Sequence, residues 1–326
     1  MNVDETLSRL SDLTYGTALT VYVLAMIMFL ASLATKNKTI EKSNELVAAG
    51  VSGGSPLVDA DDVRTPGKLQ TAEKAPLGDR LAKMAYGVVL LATTLQIASI
   101  VLRGVATGRA PWGNMYEFVS ITCATGMVAA LVVLRKREYR PLLGFVLLPV
   151  VILLFIAGTY LYTNAAPVVP ALKSYWLAVH VSIVALGSGV FLVSGVASIL
   201  YLLKLKYPEP SDRFWGRILQ RVPSAQTLDR LAYKTVVFAF PLFGLGVICG
   251  AIWAEAAWGR FWGWDPKETV SFIAWVIYAA YLHARATAGW RNTAAAWINI
   301  AGFVAMLFNL FIINLVVSGL HSYAGL

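Results

Sequence analysis

The sequence predicts an all-α integral membrane protein of about eight transmembrane helices, with both termini outside. Three observations carry this reading. Of 326 residues, 58% are hydrophobic and only 14% charged, and the mean hydropathy is +0.65, a balance that belongs to membrane proteins rather than soluble ones. Apolar stretches recur that are long enough to cross ~30 Å of hydrocarbon. Lipid offers the backbone no hydrogen bonds, so these stretches must be helices. Charged residues fall between the stretches, and unequally on alternate sides.

Met1 to Leu13 carries Asp4, Glu5 and Asp12 against Arg9 and leads into a first span from about Thr14 to Ala34. A secretory signal has a basic start and a shorter apolar core, so this is read as a retained helix. Lys36, Lys38 and Lys42 follow at once. The chain then turns mixed in charge and rich in Gly, Ser and Pro, through Val51 to Pro56 and Asp59 to Asp62. That composition reads as a solvated, disordered linker. Residues 1–80 are thus one N-terminal helix plus a cytoplasmic linker, and 81–326 one membrane domain. No internal repeat and no second domain is visible.

The second span runs from about Leu81 to Leu102, and a loop containing Arg109, Trp112, Asn114 and Glu117 follows it. The third covers about Phe118 to Leu134 and stops at the basic run Arg135 to Arg140. Pro149 lies inside the fourth, about Leu142 to Tyr162, where it predicts a kink. The fifth is about Tyr175 to Leu203. Between Lys204 and Lys234, Phe214, Trp215, Ile218, Leu219 and Val222 recur at helical spacing, with Arg213, Arg217 and Arg221 on another stripe. This pattern fits an amphipathic helix lying at the membrane surface, or equally one packing on neighbouring loops. The sixth, seventh and eighth spans run about Thr235 to Ile252, Glu268 to Ala284 and Ala294 to Val317.

With eight spans, the loops after the first, third, fifth and seventh share a side that holds all but six of the 27 basic residues. The six are Arg9, Arg103, Arg109, Lys173, Arg260 and Lys267. The positive-inside rule puts the basic side in the cytoplasm. The net charge of +9 is therefore a topology signal, and nucleic-acid binding is not expected. Cys123 and Cys249 both lie within apolar spans and form no CxxC, which excludes a disulfide framework, a zinc site or a thioredoxin-like centre. They read as small buried hydrophobes.

Four of the ten tryptophans, Trp253, Trp258, Trp262 and Trp264, fall close together in a single stretch that ends Trp264-Asp265-Pro266-Lys267-Glu268. Indoles are flat, rigid and able to donate a hydrogen bond, so their concentration builds a slab suited to a flat ligand. The alternative is an aromatic belt at the headgroups, but a belt spreads its tryptophans over many helix ends. Asp265 at N-cap, Pro266 at N1 and Glu268 at N3 predict a capped helix start.

The three histidines are each informative. His180 lies roughly 7 Å below the outer end of the fifth span at 1.5 Å per residue, and His321 just beyond the outer end of the eighth. Both stand at the level of the tryptophans. Two imidazoles about a flat aromatic platform suit the axial positions of an iron porphyrin. The plainer alternatives are a histidine satisfied by a backbone carbonyl and a solvated tail residue. His283 lies about 22 Å further along the seventh helix from Glu268, near the cytoplasmic face and beside Ala279, Ala280 and Ala284. It is either an intramembrane site, whose second imidazole another subunit must supply, or a residue snorkelling beside Arg285.

Trp258-Gly259-Arg260-Phe261-Trp262-Gly263-Trp264-Asp265-Pro266-Lys267-Glu268-Thr269 resembles the tryptophan-rich WWD motif of the haem-handling proteins of cytochrome c maturation. Its Gly-Trp-Asp-Pro-Lys-Glu form resembles the CcsA/ResC branch of the System II cytochrome c synthase, over about Arg103 to the C-terminus. The resemblance implies a complex in the cytoplasmic membrane with a CcsB/ResB-type partner, which carries haem b to the outer face and joins it to the CxxCH of apocytochrome c. It implies that His180 and His321 are axial ligands at an outer site cradled by Trp258, Trp262, Trp264 and Asp265, and that His283 holds haem within the membrane. Thiol-reducing proteins on the outer side are further implied partners. The rival expectations are haem delivery to a chaperone without attachment, and transport of another planar solute.

Overall fold

The computed structural model describes residues 3–35, 76–167, 172–208 and 214–321. Among them the chain is helical throughout: α1 (Glu5–Ala34), α2 (Leu77–Thr107), α3 (Met115–Val133), a 3-10 turn (Arg137–Leu142) running into α4 (Leu143–Thr159), α5 (Tyr175–Lys206), a short α6 (Phe214–Leu219), α7 (Ala225–Trp258), α8 (Pro266–Ala286) and α9 (Thr293–Leu315). Each expected span has its helix. Several helices overrun their apolar stretches, because the backbone goes on pairing into polar sequence. Seven are long and apolar enough to cross a membrane, and α8 is the one long helix that is not. Lys267 and Glu268 at one end and His283 and Arg285 at the other dilute its apolar content. The expected eight spans are therefore seven by hydropathy, with α8 the eighth long helix. The linker expected in residues 36–75 lies outside the described residues.

Hydrophobicity gives helices in lipid little reason to associate, so packing and polar contacts decide. Where α3 crosses α5 the two backbones meet at Gly126 and Gly189, and a Cβ on Gly189 would stand 2.5 Å from Gly126 N. Tyr22 of α1 donates to Gln96 of α2 at 2.8 Å, and Gln96 donates to Ser120 O of α3 at 2.9 Å. Asn299 of α9 donates to Ser194 and Ser198 of α5 at 2.8 and 2.7 Å. The first helix packs along α2 and α4, so it is built into the same bundle.

The stripe around α6 turns partly inward, with Trp215 exposed. Ile218, Leu219 and Val222 are buried, and Lys204 donates to Leu219 O. This favours packing on the bundle over lying on a membrane surface; Arg213 lies outside the described residues. Both cysteines are buried and free, as expected.

At the opposite end, Arg103 is buried between Glu117 at 3.2 Å and Asp12 at 3.4 Å, and it also donates to Thr163 O. Arg109 pairs with Glu117 at 2.8 Å and donates to Ala166 O. Asn114 caps α3 by accepting from Glu117 N at 2.9 Å. This cluster ties α1, α2 and the segment after α4 to the start of α3. It thereby fixes the loop bearing Trp112, whose indole donates to Ala178 O of α5 at 3.2 Å, two residues before His180.

Candidate functional site

The start of α3, the start of α5, the end of α7, the start of α8 and the segment after α9 converge at this same end. Between them lies a cavity of about 140 Å³ lined by Trp112, Phe118, His180, Trp253, Trp258, Phe261, Trp262, Lys267, Asn314 and His321, among others. Val181, Val184, Phe243, Val247 and Met306 give it apolar walls, with Thr122, Ser188, Ser271 and Asn309 also in the lining.

His180 projects from α5 toward α7, and its Nδ1 is 2.7 Å from Gly246 O. A carbonyl only accepts, so Nδ1 carries the proton and Nε2 keeps its lone pair. The close approach needs a residue without a side chain one turn on. A Cβ at Gly250 would lie 2.6 Å from His180 Cε1 and 2.7 Å from Nδ1. The backbone-carbonyl bond foreseen as a plain alternative to ligation is thus present, and it leaves Nε2 suited to a metal.

His321 is the more altered expectation. It is not a solvated tail residue: its side chain is 16% exposed, and its Nδ1 donates to Asp265 Oδ2 at 2.7 Å. Asp265 Oδ1 accepts from Leu320 N at 2.7 Å, and Oδ2 also accepts from Lys267 N at 3.3 Å. Burial favours protonation of Asp265, but the hydrogen bond from His321 and those from the backbone outweigh it and bring its pKa down to about 2. Burial pushes His321 below the ordinary histidine value against the pull of Asp265. At neutral pH the pair is therefore carboxylate and neutral imidazole, with the single ring proton on Nδ1.

Trp253 touches both histidines. Its ring stacks on His180 at 6.1 Å and 10°, and meets His321 edge-on at 5.8 Å; Trp258 meets His321 edge-on at 5.1 Å. Trp253 is 2% exposed and anchors a small apolar cluster with Leu172, Leu177 and Val181.

The expected capping box is present. Asp265 accepts at the start of α8, and Glu268 returns to Asp265 N at 3.1 Å. Glu268 also accepts from Gly263 N at 2.9 Å and pairs with Arg260 at 3.2 Å. These contacts hold a strained turn: Trp264 has φ 58°, a left-handed conformation that costs a bulky residue roughly 1–2 kcal/mol. Its indole is exposed and edge-on to Trp262 at 5.8 Å.

The expected site residues thus divide. His180, His321, Trp258 and Trp262 line one cavity. Asp265 does not line it but bonds to His321, and Trp264 is exposed. His283 is far from all of them, exposed on the face of α8 that also carries Val276 and Ala280. Arg285, its expected companion, pairs with Asp229 at 2.7 Å. Sequence reasoning gave no site role to Trp112 or Lys267, and gave Trp253 only a place among the clustered indoles. Nothing in the spacing marks Trp253 as touching both histidines.

A family model described as cytochrome C assembly protein matches residues 112–321, from the anchored tryptophan of the α2–α3 loop to the second histidine of the cavity. The chain belongs to this family. It is 33% identical to the cytochrome c biogenesis protein CcsA of Guillardia theta over 74% of this chain and 86% of that one. It is also 33% identical to that of Gloeobacter violaceus (78% and 89%) and 34% to that of Thermosynechococcus vestitus (71% and 86%). It is thus a CcsA-type cytochrome c biogenesis protein, a multi-pass membrane protein with a role in cytochrome c maturation. The solved structure of the cytochrome c haem lyase CcmF superposes with a TM-score of 0.61 over 95% of this chain at 17% identity. That likeness is one of fold, and this CcsA-type chain spans 47% of the CcmF chain.

Proposed function

We propose that this chain is the membrane subunit of a System II cytochrome c synthase, active with a CcsB/ResB-type partner. It carries haem b to the outer face of the cytoplasmic membrane and presents it there to the CxxCH of apocytochrome c. One observation carries the reading: two imidazoles from distant parts of the chain line a single tryptophan-walled cavity, each with Nδ1 bound to an acceptor. That arrangement is the usual support of metal-bound histidine, because the second hydrogen bond fixes tautomer and ring orientation and raises basicity. The donor set and the apolar walls suit an iron porphyrin. The volume is below the ~300–1,000 Å³ of an open small-molecule site. Binding a porphyrin therefore requires this cavity to widen.

His180 and His321 are the axial ligands in this reading, Trp258 and Trp262 the flanking slab, and Trp264 its outer rim. Asp265 positions His321. His283, on an open face of α8, holds haem within the membrane together with a histidine of the partner. The protein's contribution is orientation. Each cysteine thiol adds across a vinyl group, sulfur to the carbon beside the ring and hydrogen to the terminal carbon, so no oxidant and no leaving group is needed. Holding the vinyl carbons against incoming thiols makes the step nearly intramolecular, an effect worth up to ~7–11 kcal/mol in well-oriented cases.

Visible spectra of the purified chain, alone and with the partner, test the reading. A Soret band is expected, followed by thioether formation when apocytochrome is added. Absence of the band in both redox states, with and without partner, would return the transporter reading. Haem passed on without a covalent bond would favour delivery alone.

Asp265→Asn separates capping from positioning. Asparagine can still cap α8, but its amide nitrogen cannot accept: in place of Oδ1 it loses the bond from Leu320 N, and in place of Oδ2 those from Lys267 N and His321 Nδ1. We expect bound haem at the outer site to weaken by about 10- to 100-fold, with the protein still accumulating. Unchanged haem binding would leave capping as the residue's whole role.

A further inference from the structure

We propose that Lys267 is the anchor for a carboxylate of the molecule that fills the cavity, which on the porphyrin reading above is a propionate. The inference rests on that reading and adds which end of the ligand meets which wall. Lys267 lines the cavity, and its Nζ donates to Asn314 Oδ1 at 2.5 Å. Asn314 is itself fixed, since its Nδ2 donates to Leu310 O at 2.7 Å and Asn309 O at 3.0 Å. The ammonium thus has a neutral acceptor, and the face of Phe118 5.6 Å away. Among the described residues no carboxylate is within ion-pair distance of it.

The two nearest acids are committed elsewhere. Asp265 serves His321 and two backbone amides, and Glu268 serves Arg260, Gly263 N and Asp265 N. Helix stability does not account for the lysine either. It is the second residue of α8, where the positive end of the helix dipole disfavours a cation. An ammonium in an apolar cavity with a neutral partner is compensated when an anion joins it.

A second observation marks the same wall as the polar one. Asn309 donates to Ser271 Oγ at 2.8 Å, while its own Oδ1 is buried with no partner. Lys267, Ser271, Asn309 and Asn314 form a strip along α8 and α9 inside a cavity whose remaining lining is mostly apolar, with Thr122 of α3 and Ser188 of α5 among the exceptions. A flat ligand with an apolar body and two carboxyl groups at one edge fits that division. The competing role for Lys267, bracing α8 against α9 through Asn314, makes no distinction between charged and esterified ligands.

The test uses that distinction. Ferric protoporphyrin IX and its dimethyl ester are titrated into the detergent-solubilised full chain carrying His283→Ala, so that only the outer site reports, and the Soret band is read. With Lys267 intact, the diacid should bind at least about 10-fold more tightly than the diester, the scale of one charge-assisted hydrogen bond. Lys267→Met should bring the two affinities together by weakening the diacid alone, and Lys267→Arg should keep most of the difference. Equal affinities in the chain with Lys267 intact overturn the proposal without any variant at that position. So does a Met variant that keeps the full difference or weakens both ligands alike. Absence of any Soret band that depends on His180 and His321 overturns the porphyrin reading itself, and the anchor with it.

Discussion

Replacing His180 or His321 with alanine is expected to lower the yield of holocytochrome at least about 100-fold while the protein still accumulates in the membrane. Loss of a residue that merely supports a metal ligand costs about 10- to 100-fold in affinity or activity, so loss of the ligand itself should cost more. The two rings come from α5 and from the segment after α9, and both face the same cavity. Each removal leaves the other imagined ligand in place, so bound haem should persist at low occupancy with an altered spectrum. Added imidazole should restore part of it by filling the space left by the ring. His321 is expected to be the more damaging loss, because a carboxylate makes its imidazole a stronger donor than the carbonyl makes His180. Yield and spectrum together decide the matter: full activity in either variant defeats the assignment of that ligand.

Gly250→Ala should be nearly as damaging as His180→Ala, although it removes no functional group. The added methyl would sit 2.6 Å from His180 Cε1, well inside van der Waals contact, and the helices cannot slide apart to admit it. The α5–α7 contact is already tight over the next two turns, at Gly246 against Val184 and at Gly187 against Phe243. The ring must therefore turn, which breaks its bond to Gly246 O and moves Nε2 off the cavity. Overpacking of this size costs about 1–3 kcal/mol in stability, enough to displace a side chain and too little to unfold a bundle of this size. The control is Gly87→Ala, where a Cβ meets nothing within 4 Å and no loss is expected. Wild-type haem content in Gly250→Ala would show that His180 does not need its observed position.

The motif region was legible to different depths. Asp265-Pro266-Lys267-Glu268 announces a helix start on local chemistry alone, and the capping box is there. The same four residues hide two further roles. Asp265 holds His321, 56 positions on, and Lys267 meets Asn314 across α8 and α9. Neither pairing leaves a periodic trace, because each depends on how two helices are set against one another. Trp264 shows another limit. The family resemblance implies a cradle role for it, and its exposure was not legible: Glu268 binds the backbone on either side of it, and its indole is exposed.

What the sequence determined by itself is everything governed by distance along one chain. That includes which stretches are helices, where they begin, and which ends they share, since hydropathy, caps and charge asymmetry act within a span or between adjacent loops. It also brought His180 and His321 to one level, because rise per residue is fixed. The tertiary structure decided what depends on lateral packing: that Trp253 touches both imidazoles, that Gly250 makes room for one and Asp265 orients the other, and that a lysine lines a largely apolar cavity. Helices in lipid are matched by small residues and buried polar contacts rather than by a hydrophobic stripe, so the partner of each face is written in shape, and shape is expressed only when the bundle is assembled.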